Sequence, residues 1–117
     1  MSIFRLESFE YGPIDSRYIQ SVDVIMQNLG PKTFDALIQG FHASDFFHLS
    51  LYALQNFPEP GSTITINNIL THNIPFSLQI VTNTNTTAYT AITVYAKNNG
   101  VLVAMFSQNE FLLFDPN

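Results

Sequence analysis

The chain has no cysteine among its 117 residues, and charged residues make up only 11% of it. Without cysteine, the protein can form neither a disulfide framework nor a thiol nucleophile. Only four residues are basic and the net charge is −5, whereas nucleic-acid binding depends on clustered Lys and Arg, so we expect no nucleic-acid ligand. With so few charged residues, part of the protein surface must be apolar, and another subunit would remove that area from water. We therefore expect a homodimer or a larger homo-oligomer.

Long hydrophobic runs are also missing. No apolar run approaches the roughly 18 residues of a membrane span, so we expect no membrane-spanning segment. The N-terminal residues 1–5 lack the pattern of a signal peptide, which favours a cytoplasmic location. The three histidines (His42, His48 and His72) have no HExxH spacing and no Cys partners, so neither a metal site nor a cofactor is expected. The length predicts a single domain covering residues 1–117.

Phenylalanine is abundant, and one Phe-rich stretch dominates the sequence. From residue 34 to residue 54, apolar residues recur at three- and four-residue spacing: Phe34, Leu37, Ile38, Phe41, Phe47, Leu51 and Leu54. Thr33 can cap a helix that starts there, and residues 57–61, which hold two prolines and a glycine, end it. The spacing therefore predicts a long helix, with its most informative part at residues 40–55.

Strand-like segments surround this predicted helix. Residues 62–71, 76–82, 86–97, 101–109 and 110–114 are rich in Thr, Ile, Val, Tyr and Phe, and residues 3–10 alternate as a first strand would. Asn98-Asn99-Gly100 predicts a tight hairpin. Residues 17–29 mix both periods, so helix and strand stay open there. We therefore expect an α+β hotdog fold, in which an antiparallel sheet wraps around one long central helix.

Three polar side chains interrupt the apolar patterns. Asp45 lies between Phe46 and Phe47 in the predicted helix, where a carboxylate costs free energy unless it is bonded, paired or used. Thr65 lies in a strand-like segment, and Gln108 shares strand parity with apolar neighbours, so its amide must find hydrogen-bond partners. A carboxylate base with a hydroxyl and an amide to hold water is a set that can activate water.

At these residues the chain resembles the C-terminal hotdog half of the type II acyl-CoA thioesterases, a family of bacterial and peroxisomal long-chain enzymes. Ser44-Asp45, with Ala53-Leu54-Gln55 following, is similar to the helix that carries the family's catalytic Asp. Thr65-Ile66-Asn67, with Pro75-Phe76 after it, resembles the strand of the catalytic Thr. Residues 100–104 lead to Gln108 at the spacing of the catalytic Gln.

The resemblance implies hydrolysis of an acyl thioester, usually of coenzyme A, to a free acid and a thiol. It implies that Asp45, Thr65 and Gln108 position and activate the attacking water. It also implies that Phe46 and Phe47 line an acyl channel. A peroxisomal location is open on the same grounds, although the C-terminus carries no Ser-Lys-Leu signal. Because the family usually fuses two halves, a single half is expected to pair with another copy.

The sequence also departs from the family. Phe46 stands where the family has His, Asn67-Asn68 where it has Asp-His, and Ile74 where it has a basic residue. A non-catalytic hotdog protein that binds acyl chains or serves as an assembly subunit is therefore the alternative function. A dehydratase or isomerase that uses His42 or His48 of the predicted helix is a third reading.

Overall fold

Buried and exposed residues alternate along most of the strands of the computed structural model, which describes residues 1–43, 45–84 and 86–114. A period of two is the period of a β-strand. The strands are β1 (Ser2–Ser8), β2 (Ser21–Asn28), β3 (Phe34–His42), β4 (Asp45–Leu54), β5 (Thr63–Leu70), β6 (Phe76–Thr82), β7 (Thr90–Asn98), β8 (Val101–Ser107) and β9 (Leu112–Phe114). Two single-turn 3-10 helices, Ser16–Tyr18 and Gln108–Glu110, complete the regular structure of the described residues.

The strands form two sheets that pack face to face as a β-sandwich. One sheet has the order β4-β3-β6-β1-β9 and the other the order β5-β2-β7-β8, and every strand pairing is antiparallel. The core between them is built from apolar side chains that are almost fully buried, among them Phe4, Val24, Met26, Ile38, Leu78, Ile80, Ile92 and Val94. The accessible surface is 6402 Å², which is about the value expected for a closely folded chain of this mass.

The predicted α+β hotdog fold is wrong, because the described residues contain no long helix. The segment assigned to that helix is instead the hairpin of β3 and β4, in which Phe34 pairs with Leu54. Phe34 and Ile38 point into the core, whereas Leu37 and Phe41 lie on the outer side of the same strand. Apolar residues on both sides of a strand reproduce the three- and four-residue spacing of a helix. The resemblance to the thioesterase helix therefore has no structural counterpart.

The turn inside this hairpin carries no strong sequence signal. His42 pairs with Asp45, and Ala43 between them has a φ of 55°, a left-handed conformation that Gly, Asn or Asp would adopt more readily. The register also shifts between Gly40 and Phe41. A Cβ at Gly40 would lie 2.6 Å from the Phe47 ring, so only glycine lets that ring lie over the strand without a shift.

The predicted hairpin at Asn98-Asn99-Gly100 is confirmed, and the segment that stayed open between helix and strand is resolved. Asn98-Asn99-Gly100 joins β7 to β8 as a hairpin, with φ of 53° at Asn99 and 81° at Gly100. The ambiguous segment 17–29 contains the end of one 3-10 turn and then strand β2. No helix in the described part of the chain is long and apolar enough to cross a membrane.

Candidate functional site

Asp45 is the first residue of β4, at the hairpin end of an edge strand, and its side chain is exposed. Thr65 is also exposed, on the outer side of edge strand β5, where it pairs with Ile25. Neither side chain is held in a pocket between the sheets. The apolar surroundings that would make a carboxylate costly at position 45 are therefore absent.

Gln108 lies in the 3-10 turn after β8 and is half-buried. Its Oε1 accepts a hydrogen bond at 2.9 Å from the hydroxyl of Thr90, and its amide nitrogen lies 3.5 Å from the carbonyl oxygen of Thr87. The Gln108 amide therefore has hydrogen-bond partners, as expected, and they are Thr90 at the start of β7 and Thr87 in the loop before it. In this position Gln108 ties the end of β8 to the start of β7.

The structure does not bring the three polar residues together. Asp45 lies at the end of the five-stranded sheet where β6 begins, since it pairs with His42 and the preceding Phe41 pairs with Ser77 of β6. Gln108 lies at the opposite end of the sandwich. It contacts Thr90, and Thr90 lines the same cavity as Asn83, the residue that follows the end of β6. The seven residues of β6 span roughly 20 Å. A single water cannot be held by both groups, so thioester hydrolysis stays a prediction without a site in this fold.

Phe46 and Phe47 do not line one channel either. Phe46 is exposed and its ring centroid lies 4.6 Å from that of Phe41 on the outer side of the sheet. Phe47 is half-buried, stacks on His42 at 4.1 Å and meets the edge of Phe76. These contacts make Phe47 part of the packing at the end of the sandwich.

The histidines considered for a dehydratase lie on strands. The Nδ1 atom of His42 is 3.0 Å from the carbonyl oxygen of Pro75, and Nε2 of His48 is 2.8 Å from the hydroxyl of Ser50. Burial lowers the pKa of His48. Within residues 1–43, 45–84 and 86–114, no three His, Cys, Asp or Glu side chains group as metal ligands.

Comparison of the chain with protein families, with curated proteins and with solved structures finds no match.

The outer side of the five-stranded sheet shows a feature that single-segment sequence patterns do not reveal. Residues paired directly across antiparallel strands lie side by side on one face of the sheet. The pairings join five apolar residues into one row that crosses every strand: Leu51, Leu37, Val81, Ile3 and Phe114. The two ends of this row are the most open, with Leu51 69% and Phe114 50% exposed.

Two neighbouring rows complete this surface. The next row contains Leu49, Gln39, Gln79, Arg5 and Leu112, and the third contains Phe46, Phe41, Ser77 and Glu7. We call these three rows the five-strand face. Its polar groups interact with one another: Gln79 donates a hydrogen bond to Gln39 at 2.9 Å, and Arg5 forms an ion pair with Glu7, with Nε 3.0 Å from Oε1.

The structure also contains a larger cavity away from this face. A cavity of about 500 Å³ opens between residues 28–34 on one side and residues 83–84 and 86–90 on the other, at the end of the sandwich where β2 and β6 finish. Two smaller cavities, of about 250 and 300 Å³, lie at opposite margins of the five-strand face. The five-strand face and the 500 Å³ cavity are the two candidate sites.

Proposed function

We propose that this protein is a self-assembling structural subunit, in which the five-strand face of one copy packs against the same face of a second copy. The observation that carries the proposal is the apolar row that crosses all five strands. The outer face of an antiparallel sheet that meets water normally carries polar residues. An apolar row across the whole face therefore indicates a surface that is covered in the working form of the protein.

The face is large enough for a stable interface. Five strands at a spacing of about 4.8 Å and about seven residues at about 3.3 Å give a face of roughly 550 Å². Two copies would then bury roughly 1,100 Å² or more, which exceeds the roughly 1,000 Å² expected of a biological interface. Two sheets packed face to face with nearly aligned strands lie about 10 Å apart.

The charge distribution favours a second copy as the partner. The chain has a net charge of −5, whereas the three rows of the five-strand face carry one ion pair, Arg5 with Glu7 at 3.0 Å. The exposed Asp35 lies beside these rows, next to Leu37 and Leu51. The three rows of two such faces can meet without like-charge repulsion, and a two-fold interface needs a self-complementary surface of this kind. An anionic membrane surface is disfavoured, because it attracts clusters of Lys and Arg and the one cation of this face is paired.

Among the functions that the sequence suggested, the assembly subunit is the one that the five-strand face supports. The support comes from the register of the strands and does not depend on the hotdog fold. Thioester hydrolysis has no comparable arrangement of side chains behind it.

The test is the oligomeric state, measured by analytical ultracentrifugation from roughly 1 to 100 μM protein. We expect a dimer, and we expect Leu51→Glu to raise the dissociation constant about a hundredfold or more, because it buries an unpaired carboxylate between apolar faces. Leu70→Glu is the matched control, since Leu70 is an exposed leucine on β5 in the other sheet. It should leave the dimer unchanged.

A monomer across the whole concentration range would overturn the proposal, and so would equal effects of the two substitutions. Because the chain has no cysteine, a Leu51→Cys variant can carry one spin label at a defined place. Assembly through the five-strand face should immobilise this label, whereas a label at Leu70→Cys should stay mobile. The opposite pattern would assign the interface to the four-stranded sheet.

A further inference from the structure

We propose that the 500 Å³ cavity between residues 28–34 on one side and residues 83–84 and 86–90 on the other is a binding site for a small hydroxylated anion, namely a sugar ring that carries a carboxylate or a phosphate. The cavity volume falls within the range of about 300–1,000 Å³ that is usual for ligand sites. The site lies at the end of the sandwich, outside the five-strand face, and the proposal is independent of self-assembly.

The charge of the cavity is the first observation. Three of the four basic side chains are paired with acids: Arg5 with Glu7 at 3.0 Å, Arg17 with Asp15 at 2.7 Å, and Lys97 with Asp23 at 3.0 Å. The fourth, Lys32, borders the cavity, and no group in the described part of the chain bonds to its ammonium.

The described residues that line the cavity include no Asp and no Glu, although acids outnumber bases by nine to four in the chain. An unpaired ammonium in a cavity free of carboxylates attracts an anionic ligand. Lys32 therefore supplies the charge that an anionic group on a ligand requires.

The second observation is that the loop carrying Lys32 is fixed by a buried side chain. Asn28, at the end of β2, is 1% exposed. Its amide nitrogen donates to the carbonyl oxygen of Lys32 at 2.7 Å and to that of Gln55 at 3.0 Å, and its Oδ1 accepts from the N–H of Gly30 at 3.0 Å. The backbone of this wall is thus held in place before any ligand arrives, which reduces the entropy lost on binding.

The third observation concerns Tyr89 on the opposite wall. A Cβ added to Gly30 would lie 2.8 Å from Cβ and Cγ of Tyr89, so the glycine lets the base of this side chain lie against the loop. The N–H of Leu29 also donates to the carbonyl oxygen of Tyr89 at 2.7 Å. The Tyr89 side chain is 50% exposed, and its ring offers an apolar surface that ends in a hydroxyl.

Hydroxyl groups supply the remaining chemistry. Thr33, Thr84, Thr86 and Thr90 line the cavity together with Tyr89. No hydrogen bond within the described residues involves the hydroxyls of Thr33 and Tyr89, so both can donate to and accept from a ligand. A sugar ring needs such two-way partners for its hydroxyls, and an aromatic ring for its apolar side. Together with Lys32, these groups select a sugar acid or a sugar phosphate over a purely apolar ligand.

The test is NMR titration of the full chain with glucuronate, with glucose 6-phosphate and with neutral glucose. We expect one or both anions to bind with shifts in residues 28–34 and 83–90, more tightly than glucose and more weakly as salt rises. The two anions show whether a carboxylate or a phosphate is preferred. No binding of either anion would overturn the proposal, and so would equal binding of glucose.

Two substitutions test the roles of the named residues. Lys32→Met should weaken binding of the preferred anion by about tenfold or more, because it removes a charge-assisted contact, and should leave any glucose binding unchanged. Tyr89→Ala should weaken binding of the anion as well. Tyr18→Ala is the control, because Tyr18 is 58% exposed in the distant 3-10 turn. Unchanged binding by the Lys32 variant would refute the site, as would an equal loss with Tyr18→Ala.

Discussion

Two leucines on the same strand provide a direct test of the fold. Leu54 is 0% exposed in the core, whereas Leu51 is 69% exposed on the outer side of β4. Were this segment a helix, residues three apart would lie on one face and lose similar amounts of packing. In a strand the same two residues lie on opposite faces, so Leu54→Ala and Leu51→Ala should differ strongly.

The expected difference follows from the buried area. Truncation of a fully buried leucine removes its transfer free energy and leaves a cavity, which together cost about 3–5 kcal/mol of the free energy of unfolding. For Leu51 only about a third of the side chain is removed from water in a single copy, and full burial of Leu contributes about 1.5–3 kcal/mol, so the loss is about 0.5–1 kcal/mol. A loss of 1 kcal/mol lowers the melting temperature by roughly 4 °C in a chain of this size. The melting temperature should therefore fall by about 12–20 °C for Leu54→Ala and by about 2–4 °C for Leu51→Ala.

The melting temperatures of both variants can be measured by circular dichroism, at a protein concentration low enough for the proposed dimer to dissociate. The two substitutions are chemically identical, so each is the control for the other. Equal losses in the two variants would refute the strand assignment of this segment. A loss for Leu51→Ala that grows with protein concentration would instead report the proposed dimer, because binding to the folded state adds to apparent stability.

Two further predictions concern groups outside this strand. Asn28→Ala should lower the free energy of unfolding by about 2–4 kcal/mol in urea titrations, because it removes the hydrogen bonds of this buried side chain and leaves their partners unsatisfied. A loss below about 1 kcal/mol would show that these bonds do not fix the loop. The side-chain hydrogen bond from Arg17 lowers the pKa of Asp15 from 3.8 to about 2. Because the folded-state pKa is the lower one, the stability from this pair is present above pH about 4 and is lost as the pH falls towards about 2. Urea unfolding between these values should depend on pH less steeply for Asp15→Asn, and an unchanged slope would count against the pair.

The local elements were predictable where the sequence carries its own turn chemistry. Asn99 and Gly100 adopt the positive φ values that a tight hairpin requires, and the flanking strands β7 and β8 follow from that signal. The turn between β3 and β4 was missed for the converse reason, because Ala43 adopts a positive φ without being a residue type that favours it. With no turn to divide it, the apolar segment 34–54 gave the spacing of a helix.

The apolar residues that led to the wrong helix prediction also kept the five-strand face from being predicted. Leu37 and Phe41 broke the polar alternation expected of a half-exposed strand, and a helix was the simpler explanation while their partners were unknown. Their meaning depends on register, since Leu37 becomes part of a surface only when Leu51 and Val81 are placed beside it. Strands from distant parts of the chain supply that row, so no single window of the sequence contains it. The residues that made the helix prediction fail are therefore among the residues that support self-assembly. A five-strand face that stays exposed to water at every protein concentration would contradict self-assembly. The exposure of its apolar residues, which is unfavourable in water, would then need another explanation.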